Sequence, residues 1–354
     1  MPTFRRQLPT GRRRAALLIV AVVQLASLAA CGGGGGYGGG GGNMAVTGVG
    51  ASKLFAADST DRVIGSHANP DPAAGSLTVD RLIGPQPGAI PYNYAGFSTN
   101  IGSLALDAAR DYLYAGNGAS VLVFHGASMA NGDIFVSASF GTIGNTGSIF
   151  LDAAGDRLYV GDDVNNVKVY SPASTANSLS TPRLVTGMTT PIHGVAVDTT
   201  KNILYVSNDT IGGSTTHQIM VFDNADTVTI AGPNRTITPT VSNANQTVGG
   251  IFVDSTHDLL YVTGGSASTQ IMVFTGASTA NDVSGATAPS KILTMPSGML
   301  NVVVDTTHDR LYAVGFNGHI YLVENVSTLP SGPATAKDAS VSGSTLTAVA
   351  INPS

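Results

Sequence analysis

The chain has 354 residues but only one cysteine, one glutamate and no tryptophan, and 11% of its residues are charged. The single cysteine, Cys31, excludes a disulfide within the chain. No cluster of lysine or arginine follows the first 14 residues, which disfavours nucleic-acid binding because phosphate contacts need grouped cations. The chain instead has 44 glycines and many small, polar and β-branched residues, which favour short strands and turns over long helices.

Residues 1–30 are typical of an export signal. A basic stretch, RRQLPTGRRR, precedes the apolar residues 15–30, which are short for a membrane-spanning helix. Cys31 comes next, and the sequence LAAC resembles the bacterial lipobox, whose cysteine is acylated. The resemblance implies lipidation of Cys31, and Gly32 after it implies the outer membrane rather than retention in the inner membrane. We therefore expect an exported protein with a lipid anchor in the bacterial cell envelope, on its periplasmic or surface face.

Residues 31–45 form the next segment, which is mostly glycine. Because it has few side chains to pack, the sequence GGGGGYGGGGGN predicts a flexible tether with an r.m.s. reach of roughly 20 Å. Loss of the signal removes five arginines and leaves 12 basic against 22 acidic side chains, a net charge of about −10. Residues 46–354 remain as the folded domain.

A repeat organises this domain, with spacings of 45 to 56 residues between equivalent positions. Each unit has an apolar strand ending in an aspartate, a tight polar turn, a second strand containing LY, a polar loop, a third strand such as IMVF, and a link to a fourth segment. Four antiparallel strands in a unit of this length are typical of a propeller blade. The aspartates, called anchor aspartates below, are Asp107, Asp152, Asp198, Asp254 and Asp305.

The two ends of the domain complete the count of units. Residues 53–58 match a second strand, 62–65 a third and 79–84 a fourth, so this first unit lacks its first strand. Residues 345–354 match a first strand, with Asn352 at the anchor position. We therefore predict an all-β fold, a six-bladed β-propeller of four-stranded antiparallel blades, closed by the C-terminal strand joining the N-terminal blade. Such closure leaves no free inner edge.

The pattern VD…D.LYV.N….I.VF resembles NHL-type repeats and the related lactonase-like (YVTN-type) propellers of secreted bacterial proteins, over essentially all of residues 46–354. That class includes gluconolactonase-like metalloenzymes, streptogramin lyase-like enzymes and binding scaffolds, so the resemblance indicates architecture and not one activity. It also implies a ligand site at one mouth of the central channel. The walls there are the loops that enter each first strand and the loops that join second and third strands.

The candidate ligand-binding residues lie in those two sets of loops. At the entries to the first strands, the ionisable residue is His193, and Asn301 is a further polar residue. The loops between second and third strands contribute Asp162, Asp163, Asn166, His217, Asn317 and His319. The three histidines could converge as a general base or a soft-metal site, and the alternative is that each ring is bonded to the backbone.

Metal binding is an open alternative at these loops. By the same resemblance, gluconolactonase-like enzymes bring a glutamate, two asparagines and an aspartate onto one divalent ion. No glutamate stands at the channel entries here, since Glu324 ends a third strand. The oxygens of GDDVNN (161–166) suit Ca²⁺, but the twelve-residue calcium loop is missing, so a solvated turn is the other interpretation. We expect no cofactor, with a divalent cation such as calcium as the alternative, and we assign no catalytic residue.

A second cluster, Asp254, His257 and Asp258, also has residue types that bind metals or transfer protons. The repeat argues against that interpretation. Five units have an anchor aspartate followed four residues later by Asp or Asn, while the position of His257 is Arg110, Gly155 or Lys201 in three of the others. We therefore predict that the cluster is a hairpin turn whose carboxylate accepts backbone N–H groups.

The sequence favours a monomeric, non-catalytic binding or scaffold module for a protein, a glycan or a small ligand. The alternatives are a lactonase- or lyase-like enzyme that uses the channel mouth, and a structural or assembly role at the outer membrane.

Overall fold

The computed structural model describes residues 53–58, 63–67, 81–84, 101–130, 136–141, 144–208, 217–229, 232–240, 247–264, 268–281, 287–338 and 346–352. In these ranges the chain forms 25 strands and no helix. The strands build six sheets, each with four antiparallel strands, arranged in a ring. The protein is therefore a six-bladed β-propeller, as the repeat predicts.

Each blade takes consecutive strands from the channel outward, except that the inner strand of blade 1 is the last strand of the chain. Blade 1 contains β25 (Leu346–Asn352), β1 (Lys53–Asp58), β2 (Val63–His67) and β3 (Arg81–Ile83). Blade 2 contains β4 (Ile101–Asp107), β5 (Tyr112–Asn117), β6 (Ser120–His125) and β7 (Ala138–Gly141). Blade 3 contains β8 (Thr146–Asp152), β9 (Arg157–Asp162), β10 (Val167–Tyr170) and β11 (Arg183–Val185).

The remaining three blades follow the same order. Blade 4 contains β12 (Ile192–Asp198), β13 (Ile203–Asn208), β14 (Gln218–Asp223) and β15 (Arg235–Ile237). Blade 5 contains β16 (Ile251–Asp254), β17 (Leu259–Thr263), β18 (Gln270–Thr275) and β19 (Lys291–Thr294). Blade 6 contains β20 (Met299–Asp305), β21 (Arg310–Gly315), β22 (Ile320–Glu324) and β24 (Ala336–Asp338). The two-residue strand β23 (Gly332–Pro333) pairs in parallel with the outer edge of blade 5.

The second and third strands are continuous apolar runs because both faces of each sheet are covered by neighbouring blades. β9, with the sequence RLYVGD, is buried at five of its six residues. Buried side chains of one blade share hydrophobic clusters with those of the next, so the core lies between blades rather than within them. Strands buried on both faces lose the alternation of a half-exposed sheet, as the sequence pattern indicates.

The C-terminal strand closes the ring. β25 pairs with β1 in antiparallel register from Lys53↔Asn352 to Asp58↔Leu346. It also contacts β4 and β20, the inner strands on either side of it, and Leu346, Ala348 and Ala350 are fully buried. The predicted closure is confirmed.

The hairpin between the first and second strands is built by the anchor aspartate. In blade 5, Oδ1 of Asp254 accepts the N–H groups of Thr256 and His257, and the His257 ring lies 2.7 Å from Oδ2. The same carboxylate–backbone bonds occur in the other four described turns. The predicted hairpin role of the cluster is confirmed.

The residue four positions after each anchor aspartate, called the turn residue below, has left-handed backbone geometry. Its φ lies between 51° and 59°, a region that Asp and Asn enter more readily than most residues. The turn residues are Asp111, Asp156, Asn202, Asp258 and Asp309. Their side chains extend to the link after the third strand, where Asp258 for example accepts both the N–H and the hydroxyl of Ser278. The turn residue therefore shapes the hairpin through its backbone and holds the link through its side chain.

Two outer strands, β7 and β24, were not identified from the sequence, because their sequences ASFG and AKD lack the initial Arg or Lys and the following apolar or β-branched residues of the other outer strands. The links after the third strands contain single i→i+3 turns, such as the bond from Met129 N–H to the Gly126 carbonyl.

The signal segment, Cys31 and the glycine-rich tether lie outside the described residues. Among the residues that the structure describes, none belongs to a helix of the length and apolarity needed to cross a membrane.

Candidate functional site at the channel mouth

One residue at the start of each inner strand departs from regular pairing. In blade 4, Ile192 pairs with Asn208 and Gly194 pairs with Ser207, so His193 is an extra residue on its strand. The same register shift leaves Gly102, Gly147, Leu300 and Thr347 as extra residues in blades 2, 3, 6 and 1. In blade 5, Gly249 and Gly250 both hydrogen-bond to Thr263. A β-bulge of this kind directs a side chain away from the ladder.

These bulge residues line a cavity of about 350 Å³ at the mouth of the channel, called the mouth cavity below. Every blade contributes one of them, and the remaining lining residues come from blades 5 and 6. The lining among the described residues is Gly102, Gly147, His193, Thr247, Val248, Gly249, Met299, Leu300, Asn301, Phe316 and Thr347. Its volume is within the range of small-molecule sites.

Two of the bulge glycines allow the inner strands to approach closely. A Cβ atom on Gly147 would lie 2.2 Å from the carbonyl oxygen of Ile192 in the next blade. A Cβ atom on Gly102 would lie 2.8 Å from the carbonyl oxygen of Thr146. Because both contacts are with backbone, a larger residue would push neighbouring blades apart. These positions set the width of the channel and leave the space that becomes the cavity.

The walls of the mouth cavity are unequal. Blade 6 supplies an apolar wall through Met299, Leu300 and Phe316, and 47% of Phe316 is exposed. Blade 4 supplies His193, which is the one ionisable side chain in the described lining. Blade 5 lies between them and contributes Gly249, whose lack of a side chain leaves the gap open. The geometry suits an uncharged ligand with one apolar face and a few hydrogen-bonding groups.

Asn301 lies in the mouth cavity, but its amide is already engaged. Its Oδ1 accepts the N–H of Val302 at 2.7 Å, which leaves the Nδ2 group as a donor. Thr347 in the neighbouring blade 1 donates its hydroxyl to the Ile101 carbonyl at 2.6 Å and so joins blade 1 to blade 2.

The three candidate histidines have different surroundings. His193 lines the mouth cavity, whereas His217 and His319 are outside its described lining. His319 lies 2.8 Å from a carboxylate oxygen of Asp338 on the outer strand β24. His217 is buried at the start of β14. Asn317, next to His319, donates to the Tyr321 hydroxyl at 2.7 Å. The described structure therefore brings none of the other candidate histidines to His193.

The candidate residues of the β9–β10 loop hold one another. Asp162 is fully buried and ion-paired with the buried Lys168. Its other oxygen accepts the N–H groups of Val164 and Asn166, at 3.1 and 3.0 Å. Burial lowers the pKa of Lys168, but the direct contact with Asp162 leads us to describe the two as an ion pair. Such a pair stabilises the hairpin and leaves one carboxylate fewer for a ligand.

Asp163 and Asn166 complete this loop. Asp163 accepts the N–H and the side-chain amide of Asn145, at 2.8 and 2.7 Å, and so connects the loop to the entry of β8. Asn166 donates to the Val164 carbonyl at 2.8 Å. Within the described ranges, no group of three or more His, Cys, Asp or Glu side chains is placed to hold a metal ion. The hydrogen bonds of this loop are those of an Asx-rich turn.

Comparison of the chain with protein-family models and with curated protein sequences finds no significant match. The site must therefore be interpreted from its own residues.

Two features of the mouth were not predicted from the sequence. Phe316 follows β21 in a loop where only the polar residues were considered, and the bulges depend on a register shift of one residue. Counting locates the six bulge residues, which all precede the anchor position by five residues, but it does not show that they bulge. Their identities, Gly, Gly, His, Gly, Leu and Thr, vary in chemical type, whereas the three residues before the anchor position are apolar in every blade.

Proposed function

We propose that this protein is a non-catalytic binding propeller of the bacterial cell envelope that takes a small uncharged ligand in its mouth cavity. A neutral glycan or glycoside fits that description, because sugars present both an apolar face and hydroxyl groups. The supporting observation is the unequal lining: Phe316 and Leu300 of blade 6 and His193 of blade 4 line one cavity, with Gly249 of blade 5 between these two blades. Aromatic surface with a few polar groups is typical of a site that binds small molecules.

The family relationship and the lipid anchor are proposals as well. The repeat resembles NHL-type and lactonase-like propellers, and we propose that the chain is a distant relative of them. We further propose that a lipid on Cys31 holds the domain at the outer membrane. The chain with Cys31→Ser should then remain unprocessed, at the mass of the full 354 residues. Normal signal removal from that variant, measured by mass spectrometry, would contradict the anchor.

An enzyme of the lactonase or lyase type is the second candidate, because His193 could act as a general base. His193 is the one ionisable side chain in the described lining, and a single such group supports binding more than turnover. A panel of lactones incubated with the protein tests this candidate directly. Hydrolysis that His193→Gln abolishes would favour the enzyme over the binding module.

The binding proposal is tested with the full chain purified in detergent and a panel of neutral mono- and disaccharides and aryl glycosides. Saturation-transfer NMR should detect at least one sugar, and Phe316→Ala should weaken its binding by about tenfold, as expected for loss of an aromatic anchor. Leu179→Ala is the matched control, since Leu179 is 90% exposed in a link away from the mouth. Equal binding by the Phe316 and Leu179 variants would rule out the mouth cavity as the site.

A further inference from the structure

The junctions between blades, on the face opposite the mouth, contain a second and independent feature. At the junction of blades 2 and 3, Arg110 pairs with its own anchor aspartate, Asp107, at 2.6 Å. The same guanidinium donates to the Ala153 carbonyl of the next blade at 3.1 Å and lies 3.8 Å from the turn residue Asp156. A cation of the chain thus connects the two blades.

The junction of blades 4 and 5 has the same arrangement with a lysine. Lys201 lies 3.1 Å from its anchor, Asp198, and 3.2 Å from the turn residue Asp258 of the next blade. Its ammonium also donates to the Ser255 carbonyl at 3.4 Å. Burial by itself would raise the pKa of Asp258, but the hydrogen bonds from Ser278 and Lys201 outweigh it and the pKa is lowered. Both junctions therefore place a cation among a carboxylate of each blade and a carbonyl.

The junction of blades 5 and 6 has the acceptors of this arrangement but a shorter side chain in place of the cation. His257 stands at the position of Arg110 and Lys201, and its ring is 2.7 Å from the anchor Asp254. Thr306 stands where Ala153 and Ser255 stand, and Asp309 is the turn residue. A cavity of about 220 Å³, called the junction cavity below, lies between them.

The side chain of Tyr261 also lines the junction cavity, and the residue is 2% exposed. Burial raises the pKa of Tyr261, and the carboxylates of Asp254 and Asp309 raise it further, so the hydroxyl lies within electrostatic reach of both carboxylates. A phenol hydroxyl that lines a cavity can donate a hydrogen bond to a group bound there or accept one from it.

Asp309 retains the capacity to accept a further donor. Its two oxygens accept the N–H and the hydroxyl of Ser327, at 2.9 and 2.7 Å. Asp258 accepts the same two bonds from Ser278 and still pairs with Lys201, since each carboxylate oxygen has two lone pairs. Lys291, the nearby cation, donates to the carbonyls of Val326 and Ser327.

We propose that the junction cavity binds a primary ammonium or guanidinium group that comes from outside this chain. The group takes the place that Arg110 and Lys201 fill at the sister junctions. It donates hydrogen bonds to the carboxylate of Asp309 and to the hydroxyl of Tyr261. The third acceptor is the carbonyl of Thr306, which stands at the position of the Ala153 and Ser255 carbonyls. A free alkylamine, an alkylguanidine and the side chain of a basic peptide share this chemistry.

The test uses the full chain in detergent, with n-butylammonium and n-propylguanidinium as probes and NMR or calorimetry as the readout. One equivalent of at least one probe should bind, and tetramethylammonium, which has no N–H donor, should bind at least about tenfold more weakly. Preference for the ammonium or for the guanidinium probe distinguishes a lysine-like from an arginine-like source. Equal binding of tetramethylammonium would overturn the proposal.

Two substitutions provide matched controls. His257→Arg supplies the cation of blade 2, so it should abolish probe binding while the protein unfolds at the same or a higher urea concentration. Lys201→His removes the cation from the junction of blades 4 and 5, so it should create a second site and raise the stoichiometry to two. Unchanged binding in folded His257→Arg, or a stoichiometry that stays at one in folded Lys201→His, would each refute the proposal. Neither variant touches the mouth cavity, so sugar binding there remains a separate result.

Discussion

At the scale of single residues, the connection between turn and link has one natural exception. In four blades the turn residue is Asp and its partner is a serine; the pairs are Asp111–Ser128, Asp156–Ser174, Asp258–Ser278 and Asp309–Ser327. In blade 4 the turn residue is Asn202 and the partner is Asp226. The acid has moved from one side of the contact to the other, so each contact still contains a single carboxylate.

This exchange predicts the result of a double-mutant cycle. Asn202→Asp places two carboxylates against each other and removes an amide donor, so it should lower the free energy of unfolding by about 1–3 kcal/mol. Adding Asp226→Ser recreates the pair of the other four blades and should recover the loss to within about 0.5 kcal/mol. Urea unfolding measures both. A double variant as unstable as Asn202→Asp alone would show that the stability of this contact does not depend on having a single carboxylate.

The pH dependence gives a second check on the same contact. The hydrogen bond from Asn202 lowers the pKa of Asp226, although partial burial opposes it. A carboxylate with a lowered pKa in the folded state contributes stability that is present above its unfolded pKa and is lost as the pH falls through the folded value. In Asn202→Asp the repulsion should likewise weaken in acid, because one carboxylate becomes protonated. The stability gap between the two proteins should therefore narrow below about pH 4.

At the scale of strands and turns, the sequence predicts what repeats and misses what depends on a shift of one residue. The anchor aspartates and the LY strands recur at a fixed spacing, so the blade boundaries and the hairpins could be found without a structure. The bulges could not, because a register shift leaves the apolar pattern unchanged. β7 and β24 were missed because ASFG and AKD do not share the basic first residue of the other outer strands, such as RLV and KILT.

At the candidate site, too, the residues that could be located from the repeat were found and the others were missed. His193 and Asn301 were found because the entry to each inner strand can be located by counting back from the anchor aspartate. Phe316 was missed although Asn317 and His319 of the same loop were found, because only polar residues were considered there. Asp162 was included for its oxygen ligands, but the partner that occupies one of those oxygens, Lys168, stands six residues further on and across a hairpin. Composition indicates which groups are present, whereas pairing decides which of them remain available to a ligand.

At the scale of the whole molecule, the ring depends on a strand from the far end of the chain. β25 supplies the inner strand of blade 1, its Thr347 is one of the six bulge residues, and its neighbours β4 and β20 belong to blades 2 and 6. Part of the channel wall at blade 1 therefore rests on residues far apart in the chain, such as Thr347 and Ala57, which are 290 positions apart. Closure and the mouth cavity are consequences of the same pairing.

Hydrogen exchange of the full chain and of a chain ending at residue 344 tests this closure most directly. In the full chain the amides of β1 should be protected as strongly as those of β9 and β13, because all three are second strands paired on both sides. Without β25, protection of β1 and β4 should be lost, and a synthetic peptide of residues 345–354 should restore it. Undiminished protection of β1 in the shortened chain would contradict a ring closed by the C-terminal strand.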